Sequence, residues 1–143
     1  MRISRRADYA LRAVLDLALY PAARRGSRSS DVARRTGVPE KFLEAVLRDL
    51  REAGLVSSRR GPEGGHRLAL DPERITVSAV LEAIDGPLSP RPARLHAEET
   101  PAQACVLALW RRIDDAVSGI LRTVTVDDLR RQAGGGEVLD FNI

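Results

Sequence analysis

Groups able to do covalent or acid–base chemistry are few in this chain and far apart: one cysteine, Cys105, and two histidines, His66 and His96. A nucleophile needs a base and an orienting partner within hydrogen-bond reach, and these three residues come from unrelated segments. The acidic pairs Asp114–Asp115 and Asp127–Asp128 are adjacent in sequence and point in different directions on a helix, so neither reads as a working carboxylate pair. The residues point to neither a catalytic nor a metal site. Residues 59–70, RRGPEGGHRLAL, offer a different chemistry, with two arginines, three glycines and a proline in their first seven positions. The stretch lacks the GxGxxG and GxxxxGK[ST] spacings that cradle nucleotide phosphates. A basic tip of this kind suits the phosphates of a duplex.

The charge distribution points the same way. Net charge over the 143 residues is +3, but residues 1–70 hold 15 Arg/Lys against 8 Asp/Glu, net +7, and residues 71–143 hold 8 against 12, net −4. A basic half favours a polyanionic partner, because each phosphate it neutralises releases condensed counterions. With 43% apolar residues the chain can bury the core of one domain plus an appendage. A single cysteine excludes an internal disulfide framework, and no run resembles a secretory signal or an apolar span of about 20 residues, so a cytoplasmic location is expected.

Helical periodicity places the elements that would carry the tip. Tyr9, Ala10, Ala13, Val14, Leu17 and Ala18 share one face of a first helix that stops at Pro21. Ser29 or Ser30 is positioned to cap a short helix that Gly37 ends. Pro39 opens a third helix whose Phe42, Leu43, Val46, Leu47 and Leu50 form an apolar stripe down to Gly54. Its opposite face carries Lys41, Glu44, Ala45, Arg48 and Arg51, able to reach base edges and phosphates. Short helix, glycine turn and second helix form the helix-turn-helix layout, whose second helix enters the major groove. Two strands follow, over 55–60 and 66–70, joined by the glycine-rich turn. The order is that of a winged helix, with Arg59, Arg60 and Arg67 near the duplex backbone or minor groove and Gly64 and Gly65 permitting close approach. His66 reads as wing structure or a backbone contact.

Beyond the wing, Thr100, Pro101 and Gln103 read as N-cap, first helical residue and capping-box partner of a long helix. Val106, Leu109, Trp110, Ile113, Val117, Ile120, Leu121 and Val124 form one stripe along it. A rod near 30 Å long exceeds what one small domain covers, so a second copy is the expected cover, with an intramolecular brace as the alternative. The expected fold is mainly α with a small β-hairpin wing: a winged helix-turn-helix domain over 1–85, a loop over 86–100, a dimerisation helix and short final helix over 101–133, and a tail over 134–143.

The chain resembles the Rrf2 transcriptional regulators over nearly its whole length. The resemblance is carried by MRISRRADYALRAVLDLAL, GVPEKFLEAVLRDLREAGLVSSRRGPEGGHRLAL, VSAVLEAIDGPL and CVLALWRRIDDAVSGILRTVTVDDL. It implies a winged-helix dimer that binds an imperfect promoter palindrome in double-stranded DNA, and a repressor, since a compact dimer blocks polymerase without further parts. It places Lys41 and Glu44 toward bases, Arg60 in the minor groove, and Ser29 and Arg51 on phosphates. The cluster-binding members carry three cysteines in and after the loop before the dimer helix; here that loop has none, and Cys105 matches only the last. No cofactor is therefore expected. Cys105 reads as a buried small hydrophobe, a redox-sensing thiol, or one ligand of an atypical iron–sulfur cluster shared between subunits with His96 or Asp8. His96 itself reads as a solvated loop residue. A small-molecule effector or a protein partner is open, as is a non-DNA interaction module.

Overall fold

The structure, a computed structural model, describes residues 3–21, 25–88 and 100–135. In chain order they form α1 (Arg5–Leu19), α2 (Ser29–Thr36), α3 (Glu40–Glu52), β1 (Val56–Arg59), β2 (Gly65–Leu68), a 3-10 turn (Pro72–Arg74), α4 (Val77–Asp85), α5 (Pro101–Thr123) and α6 (Val126–Gly135). Ser4 opens α1 by accepting the Ala7 N–H on its Oγ at 3.0 Å. Small buried residues on α1, Ala7, Ala10 and Ala13, let other helices approach closely, while Val14 and Leu17 fill the space between them. The core continues through Val32 of α2, Leu43, Val46, Leu47 and Leu50 of α3, and Ile75 and Val80.

Several boundaries differ from the expected ones. Ser29 does not cap α2: Arg28 holds the N-cap position with no side-chain bond, and the Ser29 hydroxyl is engaged elsewhere. Pro39 is the residue before α3, not its first helical residue. Phe42 is 43% exposed and lies outside the core, tilted against Tyr9 with ring centroids 6.1 Å apart and with the Lys41 ammonium 5.1 Å from its ring. Leu43, Val46, Leu47 and Leu50 already complete the inward stripe, which leaves Phe42 on the flank. Gly37 ends α2 as expected, at φ +73°, where a side chain would be strained.

The capping box of α5 forms as its sequence predicts, with Gln103 N–H on Thr100 Oγ1 at 3.3 Å and Thr100 N–H on Gln103 Oε1 at 2.8 Å. The helix is 23 residues long, about 35 Å. Not one of those residues is buried. After it, the chain turns back: Val77 N–H donates to Val124 O and Val126 N–H to Ile75 O, at 2.9 and 2.8 Å. Val126 is buried in the main core, so α6 packs on the winged domain. Thr125 and Asp128 cap α6 reciprocally, and the Thr125 N–H holds the Asp128 carboxyl below its ordinary range.

Candidate nucleic-acid interface

Lys41, Glu44, Arg48 and Arg51 are all exposed on one face of α3, spaced three or four residues apart, with the buried stripe behind them. The turn between α2 and α3 and the packing of Val38 and Leu43 fix that face outward. Seven arginines elsewhere, Arg6, Arg12, Arg25, Arg34, Arg35, Arg130 and Arg131, sit in ion pairs. Among the described residues none of Lys41, Arg48, Arg51, Arg59, Arg60 and Arg67 does.

The wing is an antiparallel pair with Val56 opposite Leu68, Ser57 opposite Arg67, Ser58 opposite His66 and Arg59 opposite Gly65. Period-two alternation puts Arg59 and Arg67 on the outer face and Val56, Ser58, His66 and Leu68 on the inner one. Arg60 is exposed at the start of the turn. Gly64 and Gly65 take a different role from the expected one. Gly64 is buried, and a Cβ on it would lie 2.0 Å from Arg59 O; a Cβ on Gly65 would lie 2.6 Å from Arg25 O. Their missing side chains serve the wing's own packing, whereas Gly61, at φ +102° with open space around it, makes the turn. Arg28 braces the tip by donating to Pro62 O at 2.5 Å.

His66 belongs to the wing, as expected, and is also its junction with the rest of the domain. Its backbone pairs both ways with Ser27, at 2.8 and 2.7 Å, which docks the wing on the segment before α2. Its ring bonds Ser29 Oγ through Nε2 at 2.8 Å and Ser58 Oγ through Nδ1 at 2.5 Å. Arg51 of α3 donates to the same Ser58 Oγ at 3.3 Å. Burial lowers the imidazole pKa from its ordinary value; Glu44 opposes that shift and Arg51 adds to it. The signal was present in GGHRL, where alternation puts His66 on the face of Leu68, turned inward. A second buried network lies behind it: Arg35 donates to Asp16 through Nε at 3.0 Å and Nη2 at 2.9 Å, and to Ser27 Oγ at 2.9 Å.

The apolar stripe of α5 divides. Val106, Leu109, Trp110, Ile113 and Ile120 are exposed, by 37 to 52%, and Val117 is half-buried. Leu121, expected at the dimer contact, and Val124 are partly buried against Ala7, Val77 and Leu81 of the same chain, which braces the end of α5 within the subunit. Cys105, the fifth residue of α5, is exposed in the chain and not buried as a small hydrophobe would be. His96 and most of the loop over 86–100 lie outside the described residues, as do tail positions beyond 135. Among the described residues no group of three His, Cys, Asp or Glu is placed to hold a metal, and no helix is long and apolar enough to cross a membrane.

The family Rrf2, described as an iron-dependent transcriptional regulator, matches residues 3–132. The HTH-type transcriptional regulator CymR of Bacillus subtilis is 35% identical over 135 residues, covering 94% of each chain. The HTH-type transcriptional regulator IscR of Vibrio campbellii is 30% identical over 143 residues, 99% of this chain and 83% of that one. Among solved structures, CymR, the global cysteine regulator of B. subtilis, superposes with a TM-score of 0.78 at 33% identity, covering 91% of this chain and 96% of the other. IscR of T. potens superposes with a TM-score of 0.78 at 25% identity, covering 98% and 93%. With an exposed helix-turn-helix face, a basic wing beside it and these relatives, the chain belongs to the Rrf2 family of winged helix-turn-helix, DNA-binding transcriptional regulators.

Proposed function

We propose that the chain works as a homodimeric repressor in the cytoplasm that reads a promoter palindrome with α3 and its wing. The observation that carries this reading is that Lys41, Arg48 and Arg51 of α3 and Arg59, Arg60 and Arg67 of the wing are all exposed and, among the described residues, enter no ion pair, with the wing tied to α3 through Ser58. Lys41 and Glu44 lie on the base-reading part of α3; a glutamate accepts from cytosine N4 and repels other edges. Arg60 enters the minor groove, and Arg48, Arg51, Arg59, Arg67 and Ser29 hold the backbone. The exposed part of the α5 stripe, Val106 to Ile120, is too apolar to remain in water along a rod of that length, and a second copy covers it.

Iron does not enter the proposed mechanism. Each chain supplies one thiol, Cys105, and that donor set does not fit the usual cluster with four cysteine ligands. The regulator's signal is therefore to be sought in its target genes. Selection of genomic fragments by the purified protein tests the reading. The expected product is a palindrome with half-sites one helical turn, about 34 Å, apart. Enrichment of single half-sites would overturn the dimer, and no enrichment at any salt concentration would overturn the role given to α3 and the wing.

A further inference from the structure

His66 holds an unusual position for a titratable group: its ring touches two serine hydroxyls, one on each of the elements that flank the DNA-facing surface. A neutral imidazole has one N–H and one lone pair, so it donates to one hydroxyl and must accept from the other. In that state one serine spends its only hydrogen on the ring. An imidazolium donates from both nitrogens, and both hydroxyl hydrogens turn outward. Ser58 Oγ has two lone pairs, enough for the Nδ1–H and the Arg51 guanidinium together, which leaves its hydrogen for a third partner. Ser58 is exposed and Ser29 half-exposed, and Ser58 lies within reach of the Arg51 guanidinium at the junction of the wing with α3.

We propose that His66 is a positioning residue for the DNA backbone, and that DNA binding takes up a proton from solvent on its imidazole, turning Ser29 and Ser58 into a pair of hydroxyl donors to phosphate. The inference rests on the DNA-facing role given to α3 and the wing above. The groups that bear on the ring decide when the proton arrives. From α3 come Glu44, which favours the charged ring, and Arg51, which opposes it. From α2 comes Ser29, with Arg35 tied to Asp16 and Ser27 one step further back. From β1 comes Ser58, and from the segment before α2 the Ser27 backbone. Partial burial and Arg51 keep the ring neutral in the free protein near pH 7, and an arriving phosphate supplies the anion that tips the balance.

Calorimetric titration of the full chain with its selected duplex, in buffers of different ionisation enthalpy at about pH 6.5, measures proton uptake directly. Uptake approaching about one proton per bound subunit is expected, with affinity rising up to about tenfold per subunit for each unit the pH falls through this range. His66→Gln offers one donor and one acceptor to the serines, as the neutral ring does, but cannot titrate, so its uptake and its pH dependence should vanish. His96→Gln, the other histidine, should keep both. Binding without uptake, or uptake that survives His66→Gln, would overturn the proposal. If His66→Gln fails to fold, the ring pKa of the natural protein followed by NMR decides: it must rise on binding DNA, and a bound value no higher than the free one refutes the coupling. A protein that binds no duplex at any pH would overturn the DNA-facing surface itself, an outcome distinct from binding that ignores protons.

Discussion

Arg35→Met tests whether the Asp16–Arg35 pair is a structural element or an ordinary surface contact. Asp16 is 5% exposed and receives both Nε and Nη2 of Arg35, whose side chain is 24% exposed and stacks 4.4 Å over Tyr20. The Arg12–Asp8 pair on the same helix, with both side chains nearly half exposed, belongs to the class worth a few tenths of a kcal/mol. Removing Arg35 does more than lose a contact, because it leaves a carboxylate in the core without its partner and frees Ser27 Oγ. Breaking a buried pair from one side costs about 3–5 kcal/mol, and the partial exposure of Arg35 places this one near 3 kcal/mol. For a chain of this size that is a fall in Tm of roughly 10 °C. Thermal melts at pH 7 of the single variant and of Asp16→Leu/Arg35→Met provide the assay. The double variant should regain much of the loss, since no charge is left stranded. A single-variant loss below about 1 kcal/mol, or a double variant no better than the single one, would refute the reasoning.

Four further outcomes are expected. Gly64→Ala should cost about 3 kcal/mol and weaken DNA binding, because its Cβ has backbone at 2.0 Å that cannot yield, whereas Gly61→Ala in open space should cost about 1 kcal/mol; equal melting points for the two would refute the packing role. Ile113→Asp should raise the dimer dissociation constant by about two orders of magnitude in sedimentation; an unchanged dimer would move the interface off the α5 stripe. Arg60→Ala should lower the salt slope of binding by about one per subunit, and Glu44→Ala should broaden sequence preference more than it lowers affinity, both read by anisotropy; a preferred sequence unchanged by Glu44→Ala would remove it from the base-reading set. The free protein should lose stability as pH falls below about 6.5, since the His66 pKa is lower folded than unfolded and the unfolded chain then binds the extra proton; denaturant melts of His66→Gln should lack that component.

What the sequence makes legible here is whatever has a short period. Helical stripes locate α1, α3 and α5, the Thr100–Gln103 box fixes the start of α5, and a glycine-rich turn between alternating strands marks the wing. Phe42 shows the limit of that reading: it fits the apolar pattern of α3, but the four residues beside it already fill the core. Leu121 shows another, since part of one stripe packs within the chain and part stays exposed, and only the three-dimensional return of the chain through Val126 shows where the two divide. The glycine-rich tip shows a third, since Gly64 and Gly65 answer to their own backbone, which a composition cannot reveal. Contacts between residues 81 or 37 positions apart, Ser4 with Asp85 and Ser29 with His66, have no periodic trace at all.

These long-range contacts change the account of how the wing binds. Two strands of four residues are marginal on their own in water. A free hairpin would lose its conformational entropy on reaching DNA, and its arginines would deliver correspondingly less affinity. Here the ordering is achieved on folding, through the Ser27–His66 backbone pair, the two hydroxyls on the imidazole, and the Arg28 bond to Pro62 O. The wing arginines are thereby presented from a fixed frame, while Arg59, Arg60 and Arg67 enter no ion pair among the described residues. On this reading affinity depends as much on Gly64, Ser27 and His66, which hold the wing in place, as on the exposed Arg60 that it presents.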